Sequence, residues 1–295
     1  MKSFSMEKFQ VSTFAQVGLL ALVFAWLFQN TLSELIADWS ANDNYSHGFL
    51  IPFISAYMVW QKREALAEIS QKTNFWGLGI VAFGVFLHLV GNVGAELFTT
   101  RFSLVVMVAG LVAYLFGFRA LREVAIPVAY LIFMIPLPAI IWNKIAFPLQ
   151  LFAAKLTADV VRLIGIPILR EGNVLHLAST SLEVVDACSG LRSLTSLLAL
   201  AAAFAYIGPL RNWSKWILFL SAVPIAVFVN IVRLTATAIM AHRIGEEAAQ
   251  GFLHDMSGML VFGLAFVLVF AFSAVLSKAE NRLYPASGAA PDEEE

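Results

Sequence analysis

Apolar residues fall along this chain in long runs, with the polar positions gathered between them. That is the pattern of helices surrounded on every side by an apolar medium. Crossing about 30 Å of hydrocarbon takes about 20 helical residues. The runs predict an all-α polytopic membrane protein with about eight transmembrane helices, over 13–30, 48–60, 76–93, 103–117, 122–137, 189–207, 214–234 and 255–277. The second run is short, opens with Ser46-His47-Gly48 and contains Pro52, so a half-span or kinked helix is expected there. Lys2 and Lys8 precede the first run, which ends in Gln29-Asn30-Thr31 without a small-x-small cleavage pattern. The expectation is a retained first span, not a removed signal peptide.

Composition agrees with the pattern. Of 295 residues 60% are hydrophobic and 13% charged, against about 45–50% and about 25% in soluble domains. A soluble enzyme of ordinary domains is excluded. The net charge of −1 leaves no basic surface for nucleic acid. The single cysteine, Cys188, excludes an intramolecular disulfide and any zinc site built from several cysteines. No metal or cofactor is expected.

The placement of positive charge orients the bundle. With the N-terminus in the cytoplasm, alternate connections carry Lys2 and Lys8; Lys62, Arg63 and Lys72; Arg119 and Arg122; Arg211 and Lys215; and Lys278 and Arg282. The opposite connections are poor in Lys and Arg: 31–47 has Glu34, Asp38 and Asp43, and 94–102 has Arg101 alone among basic residues. The bias predicts two cytoplasmic termini. A single membrane domain over 1–284 would then end in a disordered acidic cytoplasmic tail, 285–295.

Residues 138–187 form an insertion on the extracytoplasmic side. Pro136 and Pro138 stop the fifth run, and Lys144, Lys155, Asp159 and Arg162 interrupt the apolar stretch 140–164. A charge near the bilayer centre costs about 2.5–3.5 kcal/mol, so this stretch is expected to lie as an interfacial helix. Val174-Leu175-His176-Leu177 and Leu182-Glu183-Val184-Val185 flank a small polar patch, Ala178–Ser181. They predict a short β-hairpin.

Chemistry concentrates where the insertion meets the sixth span, at Asp186-Ala187-Cys188-Ser189-Gly190-Leu191-Arg192-Ser193. With Asp186 as N-cap, Cys188 falls in the first helical turn, where the dipole and free N–H groups favour a thiolate. Arg192 adds positive charge one turn on. A lone cysteine in an apolar chain is otherwise a small packed hydrophobe. Arg233 near the outer end of the seventh span either snorkels to headgroups or, with Asn230 on the same face, marks an inward polar site. His254 opens the eighth span, and His47 stands at an outer helix start. The topology places Cys188, Arg233 and His254 at one membrane face. Thiol, imidazole and guanidinium together supply a nucleophile, an acid/base and an oxyanion stabiliser.

Asn44-Tyr45-Ser46-His47-Gly48-Phe49-Leu50-Ile51-Pro52, the Cys188 block, Asn230-Ile231-Val232-Arg233 and His254-Asp255-Met256-Ser257-Gly258 resemble, in order, the sequence blocks of the exosortase/archaeosortase family of membrane transpeptidases. The resemblance runs from about residue 40 to 277. It implies a cysteine transpeptidase of the bacterial inner membrane with its active site on the periplasmic side. Its partners would be exported proteins bearing a C-terminal sorting signal: a short motif such as Pro-Glu-Pro, a transmembrane helix and a basic tail. A surface acceptor of unknown identity would receive the product, and such systems accompany exopolysaccharide production. By the same resemblance Cys188 is the nucleophile, Arg233 the oxyanion partner and His254 the acid/base. Asp186, Ser189, Arg192, Asn230 and His47 are substrate-binding or supporting residues, Arg192 rivalling Arg233 and His47 rivalling His254.

Two other classes compete. A transporter or channel for an anionic substrate would place Arg192 and Arg233 in its pathway and would not need the thiol. An intramembrane metalloprotease would need a His-Glu-x-x-His pattern, and Glu246-Glu247 has no histidine pair at that spacing.

Overall fold

The structure, a computed structural model, describes residues 11–69, 73–178, 180–184, 191–245 and 252–283. In chain order these form α1 (Val11–Ala41), a 3-10 helix (Asp43–Phe49), α2 (Ile51–Gln61), α3 (Arg63–Glu68), α4 (Gly77–Val93), α5 (Leu97–Tyr130) and a second 3-10 turn (Leu131–Met134). There follow α6 (Ala139–Leu163), β1 (Ile168–Glu171), β2 (Val174–Leu177), β3 (Ser181–Glu183), α7 (Leu191–Ile207), α8 (Asn212–Ile244) and α9 (Phe252–Leu283). Among the described residues four helical stretches are long and apolar enough to cross a bilayer: Val17–Ala41, Leu97–Met134, Asn212–Ile244 and Leu260–Leu283. At 11 residues, or about 16 Å, α2 is too short to cross alone. The chain divides into two compact units, Met1–Asn42 with Ile69–Arg122, and Asp43–Glu68 with Glu123–Glu295.

In the first unit α4 and the early part of α5 lie back to back on glycine. Gly77, Gly84 and Gly91 recur every seventh residue of α4, so they share one face. A Cβ at Gly77 would sit 2.6 Å from the Tyr114 Cα, and one at Gly91 would sit 2.6 Å from the Thr100 backbone nitrogen. Without side chains the two backbones approach closely, the usual device for joining helices where no hydrophobic driving force separates them from lipid. The 94–102 stretch, expected as a loop, is already helical from Leu97, because the Glu96 carboxylate accepts from the backbone N–H of Phe98 (3.0 Å) and of Thr99 (2.6 Å). Arg101, 3% exposed, donates to Asp38 of α1 at 2.7 Å. His88 meets Ser103 at 3.4 Å and packs edge-on to Phe28. Gly117, with φ 84° and ψ 169°, breaks the helical path inside α5 between the 103–117 and 122–137 segments.

α1 continues past Thr31, where the apolar run ends, to Ala41. The reason is a one-sided continuation: Phe28, Thr31, Leu35 and Trp39 are buried at helical spacing, while Glu34 and Ser40 are exposed and Asp38 lies at the edge, paired with Arg101. The expected 31–47 loop is therefore mostly helix.

The second unit is built around α8. Leu194, Leu197 and Ala201 of α7, Leu218, Ala222, Ala226 and Val229 of α8, and Ala265 and Val269 of α9 form one core cluster. The short 208–211 connection makes α7 and α8 antiparallel. At the start of α8, Glu280 of α9 accepts from the Arg211 backbone N–H at 3.1 Å and from the Ser214 hydroxyl at 2.5 Å. A carboxylate at that helix N-terminus satisfies free donors and complements the dipole, and it fixes α9 antiparallel to α8.

α6 packs lengthwise against α8. Ala146 joins the cluster with Ala226 and Val229, while Ala153, Ala154 and Ala158 join Leu234 and Ala238 in a second cluster, so the two helices run in the same direction. Its buried face is mostly small (Ala146, Ala153, Ala154, Thr157 and Ala158, with Gln150 and Val161), which permits close approach. Lys144, Lys155, Asp159 and Arg162 lie on its exposed side. The expected hairpin is present and antiparallel, with Leu175 opposite Leu182 and His176 opposite Ser181. A strand that the sequence analysis missed, β1, precedes it and pairs Arg170 with Leu175. The turn between β1 and β2 has Gly172 at φ +64°, a conformation open to glycine. The sheet covers the second cluster through Ile168, Leu175, Leu177 and Val184.

Candidate active site

The second unit carries every residue singled out for chemistry, though not all are described. Asp186, Cys188 and Ser189 lie outside the described residues. Arg192 is the second residue of α7 and His254 the third of α9; their backbones are placed and their side chains lie outside the described part.

The helix arrangement brings the first turns of α7 and α9, which carry Arg192 and His254, to one end. Phe204 of α7 meets Phe266 and Phe270 of α9 at 5.9 and 6.0 Å between ring centroids. Both helices run against α8, so they run with each other. Counting back at about 1.5 Å per residue puts the first turn of α7 level with the first turn of α9. α7 spans 17 residues, about 25 Å, and α8 reaches that height near Asn230, one turn short of Arg233.

Arg233 is 8% exposed and Asn230 fully buried. Asn230 precedes Arg233 by three residues and so shares its face. Thr237, one turn on, donates its hydroxyl to the Arg233 carbonyl at 3.0 Å. A guanidinium held inside an apolar bundle is costly and points to function. Its burial disfavours the snorkelling alternative, which would leave the head group exposed. Neither polar atom of the Asn230 carboxamide has a hydrogen-bond partner among the described residues, at a cost of about 1–3 kcal/mol for each unpaired group. The Thr157 hydroxyl on α6 is likewise buried without a partner among the described residues. A lone threonine in an apolar helix leaves no signal in the sequence.

His47 reaches this region from the Asp43–Phe49 helix. Its Nε2 lies 3.1 Å from the Phe133 carbonyl, and its Nδ1 lies 3.0 Å from the Ser196 Oγ on α7. A carbonyl only accepts, so Nε2 carries the proton and donates; Nδ1 then accepts from the serine hydroxyl. Burial pushes the imidazole below its ordinary value, and the Phe133 and Asn44 backbone contacts oppose this more weakly. His47 is therefore a neutral ring with both nitrogens engaged. Ser196 and the Phe133 carbonyl escaped the sequence analysis, since neither a lone serine in an apolar helix nor a main-chain oxygen leaves a signal.

The rest of the second unit holds this end in place. Ser55 of α2 donates to the Pro127 carbonyl at 2.7 Å, and Tyr130 donates to the Ala199 carbonyl of α7 at 3.1 Å. Among the described residues, no three or more His, Cys, Asp or Glu gather as a metal site.

Comparison with known proteins adds one result. The sequence profile of the transmembrane exosortases matches residues 39–271. No curated protein and no solved structure matches. The match takes in all four sequence blocks and the helices that carry them, and it establishes that this membrane protein belongs to the transmembrane exosortase family.

Proposed function

We propose that the chain is a cysteine transpeptidase that cleaves the C-terminal sorting signals of exported proteins and passes them to a surface acceptor. The observation that carries the reading is the buried guanidinium of Arg233, within one helical turn of the height of the first turns of α7 and α9, the latter carrying His254. In this reading the Cys188 thiolate attacks the scissile carbonyl, and Arg233 stabilises the oxyanion through its planar fork of donors. Protonated His254 gives its proton to the leaving amine, and the acyl group stays on sulfur as a thioester. An acceptor amine then attacks the thioester, His254 takes its proton, and the thiolate is released. Asp186 would cap α7, and Ser189 and Arg192 would line the same turn. His47 serves as a support, not an acid/base, because both ring nitrogens are occupied.

The reading places the protein in a bacterial inner membrane with about eight crossings, both termini cytoplasmic and the active site periplasmic. The asymmetry of Lys and Arg between alternate connections supports that orientation. The substrate's own helix would lie beside the bundle, with its basic tail in the cytoplasm and its motif at the outer face. The deciding experiment is co-expression with a reporter carrying the three-part tail. Wild type processes it; Cys188→Ala and Cys188→Ser do not, while still accumulating as folded membrane protein. Equal processing by wild type and Cys188→Ala would exclude the cysteine mechanism. An anion pathway through Arg192 and Arg233 would then become the better account.

A further inference from the structure

Asn230 is fully buried on α8, and neither its Oδ1 nor its Nδ2 has a hydrogen-bond partner among the described residues. Of its buried neighbours along the helix, Ala226, Val229 and Leu234 carry no polar side-chain atoms, and although Arg233 is buried on the same face, the carboxamide is left unpaired among the described residues. A carboxamide in such a place is costly, and a leucine would fill the same space without that cost. The unmet groups themselves specify what is missing. A carboxamide offers an acceptor and two donors. An anion would engage the donors and leave Oδ1 unmet; a cation would do the reverse. A main-chain peptide segment presents an N–H and a carbonyl together and meets both.

We propose that the Asn230 carboxamide binds the main chain of the substrate next to the scissile bond, Oδ1 accepting from a peptide N–H and Nδ2 donating to a peptide carbonyl. The inference rests on the peptide-cleaving reading of the site and extends it. Arg233, one turn further on the same face, meets the charge that develops at the reacting carbonyl, and Asn230 holds the uncharged backbone beside it. The division of labour predicts a division of effects. Asn230 acts in substrate binding, where pairing an otherwise unmet amide discriminates strongly, and contributes less to the chemical step.

The test uses the full chain in proteoliposomes and a fluorescent reporter with the three-part tail. Binding is measured in the Cys188→Ala background, with and without Asn230→Leu. Asn230→Leu is expected to weaken reporter binding at least ten-fold. In the background with Cys188 intact it should raise KM more than it lowers kcat. It should also raise the unfolding temperature, because it removes two unmet buried groups. Asn230→Asp, which keeps an acceptor and loses both donors, should weaken binding as well. Unchanged affinity in Asn230→Leu would overturn the proposal and assign the amide to trapped water. A lowered unfolding temperature would overturn it too, since the amide would then serve the resting protein. Processing by Cys188→Ala would remove the nucleophile assignment alone and leave the binding comparison to decide the role of Asn230. A reporter that binds neither background would overturn both.

Discussion

His47 and Ser196 stand 149 residues apart in the chain and 3.0 Å apart at Nδ1 and Oγ. Through them the short helix Asp43–Phe49 is tied to the second turn of α7. The other ring nitrogen is held by the Phe133 carbonyl at 3.1 Å, so one imidazole joins three elements. This gives the Tyr45-Ser46-His47-Gly48 block a physical role as a latch on α7.

The latch predicts a pH dependence. The native pKa of His47 is lowered from 6.5 by burial, so the unfolded chain binds the proton more readily than the folded one. Its contribution to stability is complete above pH 6.5 and is lost as pH falls through the lowered native value. Thermal unfolding of the wild type between pH 8 and 5 should show this loss, and His47→Asn should flatten it. His47→Ala leaves the Ser196 hydroxyl and the Phe133 carbonyl unmatched and should cost about 1–3 kcal/mol.

The ion pair in the first unit predicts an asymmetry. Arg101 is 3% exposed, whereas the Asp38 side chain is 44% exposed. Asp38→Ala strands a buried guanidinium and should destabilise by about 3 kcal/mol, the low end for a broken buried pair because Asp38 is half in solvent. Arg101→Leu leaves a carboxylate that solvent can reach and should cost less. The double variant Asp38→Ala/Arg101→Leu should recover part of the loss in a denaturation series. Equal costs for the two single variants would contradict the burial difference.

The glycine face of α4 predicts opposite outcomes for one chemical change. A methyl at Gly77 meets the Tyr114 backbone, while at Gly79 it meets nothing within 4 Å. Gly77→Ala should force α4 and α5 apart at a cost of about 1–3 kcal/mol. Gly79→Ala should be neutral or stabilise by up to about 1 kcal/mol through helix propensity. Melting temperatures in one detergent compare them directly.

The two helices also show what hydropathy conceals. Runs of apolar residues locate the membrane helices but not their ends. α1 and α8 continue beyond the runs because one face remains buried, Thr31 and Leu35 on α1 and Ala238 and Ala241 on α8. The hairpin β2–β3 was legible in its two apolar segments around a polar turn. β1 was not singled out, although Glu171-Gly172-Asn173-Val174 contains a turn pair between two apolar stretches. At the site, Arg233 and Asn230 were legible as polar residues on one apolar helix face. Their burial was not, because a guanidinium near the end of a span reads equally as a headgroup contact. The role of His47 was hidden for another reason: its partners are a lone serine and a main-chain oxygen.

The guanidinium itself makes a prediction. Arg233→Lys keeps the charge but not the planar fork of donors. If Arg233 holds the oxyanion, processing of the three-part reporter should fall by about 10²–10³, while reporter binding changes little. A comparable loss in binding would place Arg233 on the substrate's ground state.

The central claim is that Cys188 carries the acyl group. The most direct measurement is mass spectrometry of the full-length protein after brief exposure to the reporter, with hydroxylamine treatment to release thioesters. The account predicts an adduct on the peptide containing Cys188, equal in mass to the N-terminal part of the cleaved reporter, lost with hydroxylamine and absent in Cys188→Ser. Cleaved reporter with no hydroxylamine-sensitive adduct, or an adduct on another residue, would contradict it.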